Sequence, residues 1–172
     1  MNYFIYFLIF AAALMRVIPH PANFTPLAAV ALFGAVYLSR KEAMFIPLSA
    51  MVVSDAIIGF DSLQSRLVIY SCFLAIALIG MWVKNHKNLV TVVGGSVAGS
   101  VLFYLVTNLV FLYPPTMYPH TWVGQITSYT NALPFFRNTL AGDLFFVAVL
   151  FGSFELVKAW TANKSEALST KS

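Results

Sequence analysis

The chain has 172 residues, 60% of them hydrophobic and 9% charged, with a formal net charge of +4. A water-soluble domain carries about a quarter charged side chains to wet its surface, so this composition excludes one and makes lipid the solvent. Hydrocarbon about 30 Å thick asks for roughly 20 apolar residues per spanning helix and excludes open sheets, and the continuously apolar runs lack the alternation of a transmembrane barrel.

Apolar runs lie at about 3–18, 26–39, 43–60, 66–83, 89–113 and 139–160. They predict an all-α integral membrane protein, a compact bundle of about six transmembrane helices. Residues 1–160 form one transmembrane domain and 161–172 a polar cytoplasmic tail. The first two runs are short, about 24 and 21 Å at 1.5 Å per residue, so either flanking residues help them across or the pair dips in as a hairpin. The opening stretch MNYFIYFLIFAAA has the small residues of a cleavable signal, but no Lys or Arg precedes it, and it is read as a retained span.

Six spans sort the basic residues. Arg40, Lys41, Lys84, Lys87, Lys158, Lys164 and Lys171 fall on one side; Arg16, Arg66 and Arg137 fall on the other. The positive-inside rule then puts both termini in the cytoplasm of a multi-pass protein. The segment PHPANFTP, Pro19 to Pro26, faces outward. There Thr25 is expected to cap the second helix, Pro26 to occupy its first position and Phe24 to act as a staple. Capping leaves His20, Asn23 and Arg16 unexplained.

Further along, Asp55 lies within about two turns of the outer end of the third span, and Asn108 at similar depth in the fifth. Asp61 and Ser62 read as caps of the fourth helix. Asp143 sits one turn into the sixth span, where it either complements the helix dipole or contacts a ligand, and Arg137 and Asn138 precede it. Asp55 has two readings, half of an Asp–Arg pair that pins helices or a ligand contact. Polar residues in lipid usually line a cavity or pair with one another, and here they gather in the outer third. Amino-terminal helix ends on that side add partial positive charge that suits a carboxylate or phosphate. The connection from Pro114 to Asn138 is long. Trp122, Val123, Ile126, Tyr129 and Leu133 recur in it near helical spacing, predicting a short surface helix whose Trp122 and tyrosines read either as interfacial anchors or as an aromatic lid that would suit a flat heterocycle. The expected substrate-binding set is Arg16, His20, Asn23, Asp55, Asn108, Trp122, Arg137, Asn138 and Asp143.

Other chemistries find less support. Gly94 to Gly99 spells G-x-x-x-x-G, but Ser100 follows where a phosphate-binding loop needs Lys. Gly95-x-x-x-Gly99 and Ala31-x-x-x-Ala35 are helix-packing devices. His20, His86 and His120 lack metal-ligand spacing, Cys72 has no second cysteine to pair with, and no basic cluster interleaved with aromatics marks a nucleic-acid site. The expectation is therefore a protein that is not an enzyme and takes no metal, no cofactor and no nucleic acid.

The segments PHPANFTPLAAVALFGAVYL, LSAMVVSDAIIGF, LVTNLVFLYPP and LPFFRNTLAGDLFFVAVLFG resemble a small uncharacterised bacterial family described as transport proteins. That family is similar to the S components, the substrate-capture subunits of energy-coupling-factor vitamin transporters. The resemblance covers Arg16 to about Trp160. It implies an inner-membrane subunit that binds a vitamin-like micronutrient near the outer face and topples to release it inside. It also implies a transmembrane coupling subunit with ATPases as partner, docked through small-residue surfaces such as Ala31 and Ala35. Two other functions fit the residues: a stand-alone proton-coupled carrier using Asp55 or Asp143, and a non-transporting membrane scaffold.

Overall fold

The computed structural model describes residues 2–19, 21–59 and 62–169, with side chains as far as Lys164. His20 and Asp61 lie outside the described residues. Those described form helices without strands: α1 (Asn2–Leu14), α2 (Leu27–Tyr37), α3 (Arg40–Ile58), α4 (Leu63–Asn85), α5 (Leu89–Thr107), a 3-10 turn (Val110–Leu112) and α6 (Trp122–Ser169). Three of them, α4, α5 and α6, are long and apolar enough to cross a membrane. α1 and α2 are apolar but short, and α3 carries Arg40, Lys41, Glu42 and Asp55.

The shortest helix is the centre. α2, LAAVALFGAVY, is apolar on every face, and such a helix has to be enclosed. The other five helices pack around it. Small residues let them approach closely. A Cβ on Gly80 of α4 would stand 2.5 Å from the Ala35 Cβ and 3.0 Å from the Leu32 carbonyl oxygen of α2. Gly95 and Gly99 of α5 face Val83 and Ile76 of α4 in the same way. Ala31 and Ala35 are 0% and 1% exposed, so they pack inside the bundle and offer no docking surface.

Local signals account for most helix starts. Ser39 and Glu42 form a reciprocal capping box at α3, and Asn88 and Thr91 form another at α5. The Ser62 hydroxyl accepts from the Ser65 amide at 3.1 Å. At α2 the expectation fails. Thr25 makes no cap; Pro26 itself is the cap residue, and its carbonyl accepts the first helical bond from Val30 at 2.8 Å. Phe24 staples to α6 instead, its ring 5.6 Å from Phe146, with its backbone against Gly142, where no side chain intervenes.

The fifth and sixth spans also differ from expectation. α5 stops at Thr107 with Asn108 as its C-cap, short of residue 113. α6 starts at Trp122 and runs unbroken through Pro134, so the expected surface helix and the sixth span are one element of 48 residues, about 72 Å long. An interior proline costs ~3 kcal/mol through a lost amide bond and a ring clash. Packing on both sides of Pro134 offsets this: the Tyr104 ring lies 5.4 Å from Tyr129 and 4.7 Å from Phe136.

Candidate functional site

Side-chain contacts divide the bundle into two ends. At one, the Tyr6 hydroxyl donates to Glu42 and the Tyr37 hydroxyl to Glu155, both at 2.6 Å, Lys84 donates to the Leu38 carbonyl, and Lys87 pairs with Glu155. At the other are Arg16, Asp55, Asn108 and Asn138.

A cavity of about 500 Å³ opens at this second end. The first turns of α4 supply Gln64, Ser65, Val68 and Ile69, and the last turn and C-cap of α5 supply Phe103, Tyr104, Thr107 and Asn108. The 3-10 turn and the loop after it add Leu112, Tyr113, Met117 and Tyr118. α6 contributes Ser128, Asn131, Ala132, Phe135, Phe136 and Thr139, and Asn23 completes the wall. Six aromatic rings, four amides and four hydroxyl side chains of Ser and Thr thus surround the space, and no charged side chain stands among the described lining.

The lining is held by its neighbours. The Asn108 carbonyl accepts from the Gln125 amide and the Ser128 hydroxyl, both at 2.9 Å, while Gln125 accepts from the Val110 amide at 3.2 Å. This clasp ties the end of α5 and the 3-10 turn to α6. The Tyr104 hydroxyl donates to the Tyr129 carbonyl at 2.8 Å. Burial, with Tyr118 alongside, raises the titration of the Tyr113 hydroxyl, which donates to the Thr107 carbonyl at 2.8 Å. Asn23 has φ 63°, the left-handed region that asparagine tolerates better than most residues, which explains its place in the loop independently of any ligand. Among the described residues, the side-chain amides of Asn23 and Gln64 have no hydrogen-bond partner, and Asn131 has only a 3.4 Å contact with the Tyr118 hydroxyl.

Of the nine residues expected at the site, Asn23 and Asn108 line this cavity. Arg16 and Asp55 form an ion pair beside it. Arg16 also donates to Ser54 at 2.7 Å, and the Tyr70 hydroxyl donates to the second Asp55 oxygen at 2.7 Å. Both oxygens of Asp55 are engaged, so the residue pins α1, α3 and α4 together. Asn138 donates to the Ala22 carbonyl at 3.0 Å, fastening the 19–26 segment to α6. Arg137 is exposed, and Trp122 is 85% exposed at the start of α6, away from the lining. Asp143 is 2% exposed and deep within α6, where the Ser100 hydroxyl meets it at 2.6 Å. It is not a first-turn acid, because α6 begins at Trp122, about five turns earlier than the expected span. The cationic groups expected to receive an anion are thus engaged elsewhere or stand outside the lining.

Gln64, Tyr104, Asn131 and Phe136 belong to the cavity and were missed. Their signal is present in the sequence: Tyr129, Ala132, Phe136 and Thr139 continue the helical spacing across Pro134 into the sixth span. A second hollow of about 380 Å³ between α1 and α3 is almost wholly apolar, with Ile9, Phe10, Val53 and Ile57 in its wall. Among the described residues no group of three or more His, Cys, Asp or Glu side chains converges.

No curated protein and no solved structure matches this chain. A family model matches residues 1–167. The chain therefore belongs to the family described as Family of unknown function (DUF6580).

Proposed function

We propose that this chain is a substrate-binding membrane subunit for uptake of a small, flat, uncharged compound of vitamin or micronutrient size, bound in the 500 Å³ cavity. The observation that carries the reading is the lining: aromatic walls, with amide groups among them whose hydrogen-bonding capacity is unspent. Binding sites are typically apolar hollows with a few convergent polar groups that fix orientation, and this one has that composition. It holds no charged side chain among the described residues, which favours a neutral heterocycle over the anion that the sequence suggested. The role is capture, not catalysis, and the energy for uphill transport comes from a coupling partner or an ion gradient.

In this reading all six helices cross the bacterial inner membrane, with both termini in the cytoplasm and the cavity facing out. The excess of Lys and Arg at the opposite end supports that orientation. The shortness of α2 does not count against it, because five helices shield α2 from lipid and its length need not match the bilayer.

Native mass spectrometry of the detergent-purified protein tests the capture. The wild type should retain a small-molecule adduct, and Asn131→Ala should lose it while unfolding at the same temperature. A bare wild-type spectrum from cells grown in rich medium would sink the reading. Orientation is tested separately in a Cys72→Ser background: an impermeant maleimide added to whole cells should label a cysteine at Met117 and spare one at Lys41.

A further inference from the structure

One turn below the cavity, α5 and α6 meet at a buried acid. Thr139 and Asp143 are four residues apart on α6, as are Tyr104 and Ser100 on α5, so the Asp143–Ser100 contact continues the same seam that lines the cavity above. Asp143 and Ser100 are 2% and 0% exposed. The Ser100 oxygen lies 2.6 Å from the Asp143 carboxyl and 3.1 Å from the Ser96 carbonyl.

Counting protons shows which state of Asp143 makes both contacts. Three oxygens in a row make two hydrogen bonds, and a serine hydroxyl brings one proton. If Asp143 is ionised, that single proton points to the carboxylate, and the Ser96 carbonyl keeps only its helical bond from the Ser100 amide. If Asp143 is protonated, it donates to Ser100, Ser100 donates to the Ser96 carbonyl, and both contacts are made. No other donor makes up the difference: the Ser96 hydroxyl is buried without a partner among the described residues. Nor does a cation compensate a negative charge here. α1, α2 and α5 carry no charged side chain at all; their titratable groups are tyrosines, of which Tyr104 is committed to the Tyr129 carbonyl and Tyr37 to Glu155 at the far end. α4 contributes buried Cys72, Tyr70 bonded to Asp55, and Arg66 and Lys84 towards its two ends, while on α6 Arg137 and Glu155 lie well to either side. A separation of 2.6 Å leaves no room for a metal ion between the two oxygens.

We infer that Asp143 is a proton-binding site: the neutral acid donates to Ser100 and closes the α5–α6 seam beneath the cavity, and loss of its proton opens that seam. A lone carboxylate in such surroundings has one donor and no counter-charge, so ionisation pushes the helices apart or draws water in.

Infrared spectroscopy of the lipid-reconstituted full chain tests this without any ligand, so it stands or falls apart from the capture reading. The wild type at neutral pH should show the carbonyl stretch of a protonated carboxyl, moved by carbon-13 aspartate labelling and absent in Asp143→Asn. Should that variant not fold, Ser100→Ala removes the acceptor and should shift the band. No such band in the folded wild type, or a band indifferent to both substitutions, overturns the inference. Hydrogen exchange over residues 100–107 gives the second readout. Once corrected for base catalysis, exchange should accelerate severalfold at alkaline pH in the wild type and stay flat in Asp143→Asn; the same profile in both overturns the opening of the seam.

Discussion

The two ends of the bundle are built from different materials. The end with Lys87 and Glu155 is closed by contacts between specific partners: the Tyr37 hydroxyl and Lys87 share the Glu155 carboxylate, the Lys87 ammonium lies 4.4 Å over the Tyr37 ring, and capping boxes start α3 and α5. The cavity end has its ion pair to one side, at Arg16 and Asp55, and leaves amides idle around open space. Closing one end with charge keeps the helices in register and lets the other hold a hollow that the packing would otherwise fill. The shared frame is α2, which reaches both ends.

That dependence gives the largest predicted effect. Gly80→Val would drive a side chain into Ala35 and the Leu32 carbonyl and should cost ~3 kcal/mol, the upper part of the overpacking range. It should lower the unfolding temperature and abolish ligand retention together. Gly152→Val, with nothing within 4 Å of its Cβ, is the matched control and should change neither. Next in size is Asp55→Ala, which strands the Arg16 guanidinium. Removing one partner of a fully buried pair costs about 3–5 kcal/mol; with the Arg16 and Asp55 side chains 20% and 10% exposed, we expect about 2 kcal/mol, read by thermal unfolding in detergent. The double replacement Arg16→Met with Asp55→Leu should recover part of that loss, since it leaves no charge unpaired.

How much of this was legible in the chain depended on whether the signal was local. Composition pointed to apolar helices, three of which are long enough to cross a membrane, and the apolar runs located α1 to α4 to within a few residues. The capping box at Ser39 and Glu42 is a four-residue pattern, legible in the sequence alone. Asp55 has pairing with an arginine as one of its two readings in the sequence, and Arg16 is that partner. α6 is one helix where the sequence predicts a surface helix and a separate span, and the rings of Tyr104, Tyr129 and Phe136 packed across Pro134 offset that interior proline. That split misplaced Asp143 and hid Asn131 and Phe136. The centrality of α2 could not be read at all: LAAVALFGAVY looks like a truncated span, and only the packing of five neighbours shows why it can be short.

The smallest predicted effect separates closure by charge from closure by packing at the clasp end. Glu155→Gln removes the pairing with Lys87 but leaves an amide oxygen to accept from Tyr37, so the hydroxyl bond survives in weaker, uncharged form. With the Glu155 side chain 43% exposed, solvent and salt screen the ion pair, and its loss should cost ~0.5 kcal/mol or less. The wild-type stability should therefore fall slightly from low to high ionic strength while that of Glu155→Gln stays level. If the variant instead loses as much as Asp55→Ala, the Lys87 contact carries more of the closure than its exposure allows, and the asymmetry between the ends is one of charge strength. A loss confined to the small, salt-dependent amount leaves the rings of Phe33, Tyr37, Phe151 and Phe154, packed 4.2 to 5.9 Å apart just inside the clasp, as what holds this end shut.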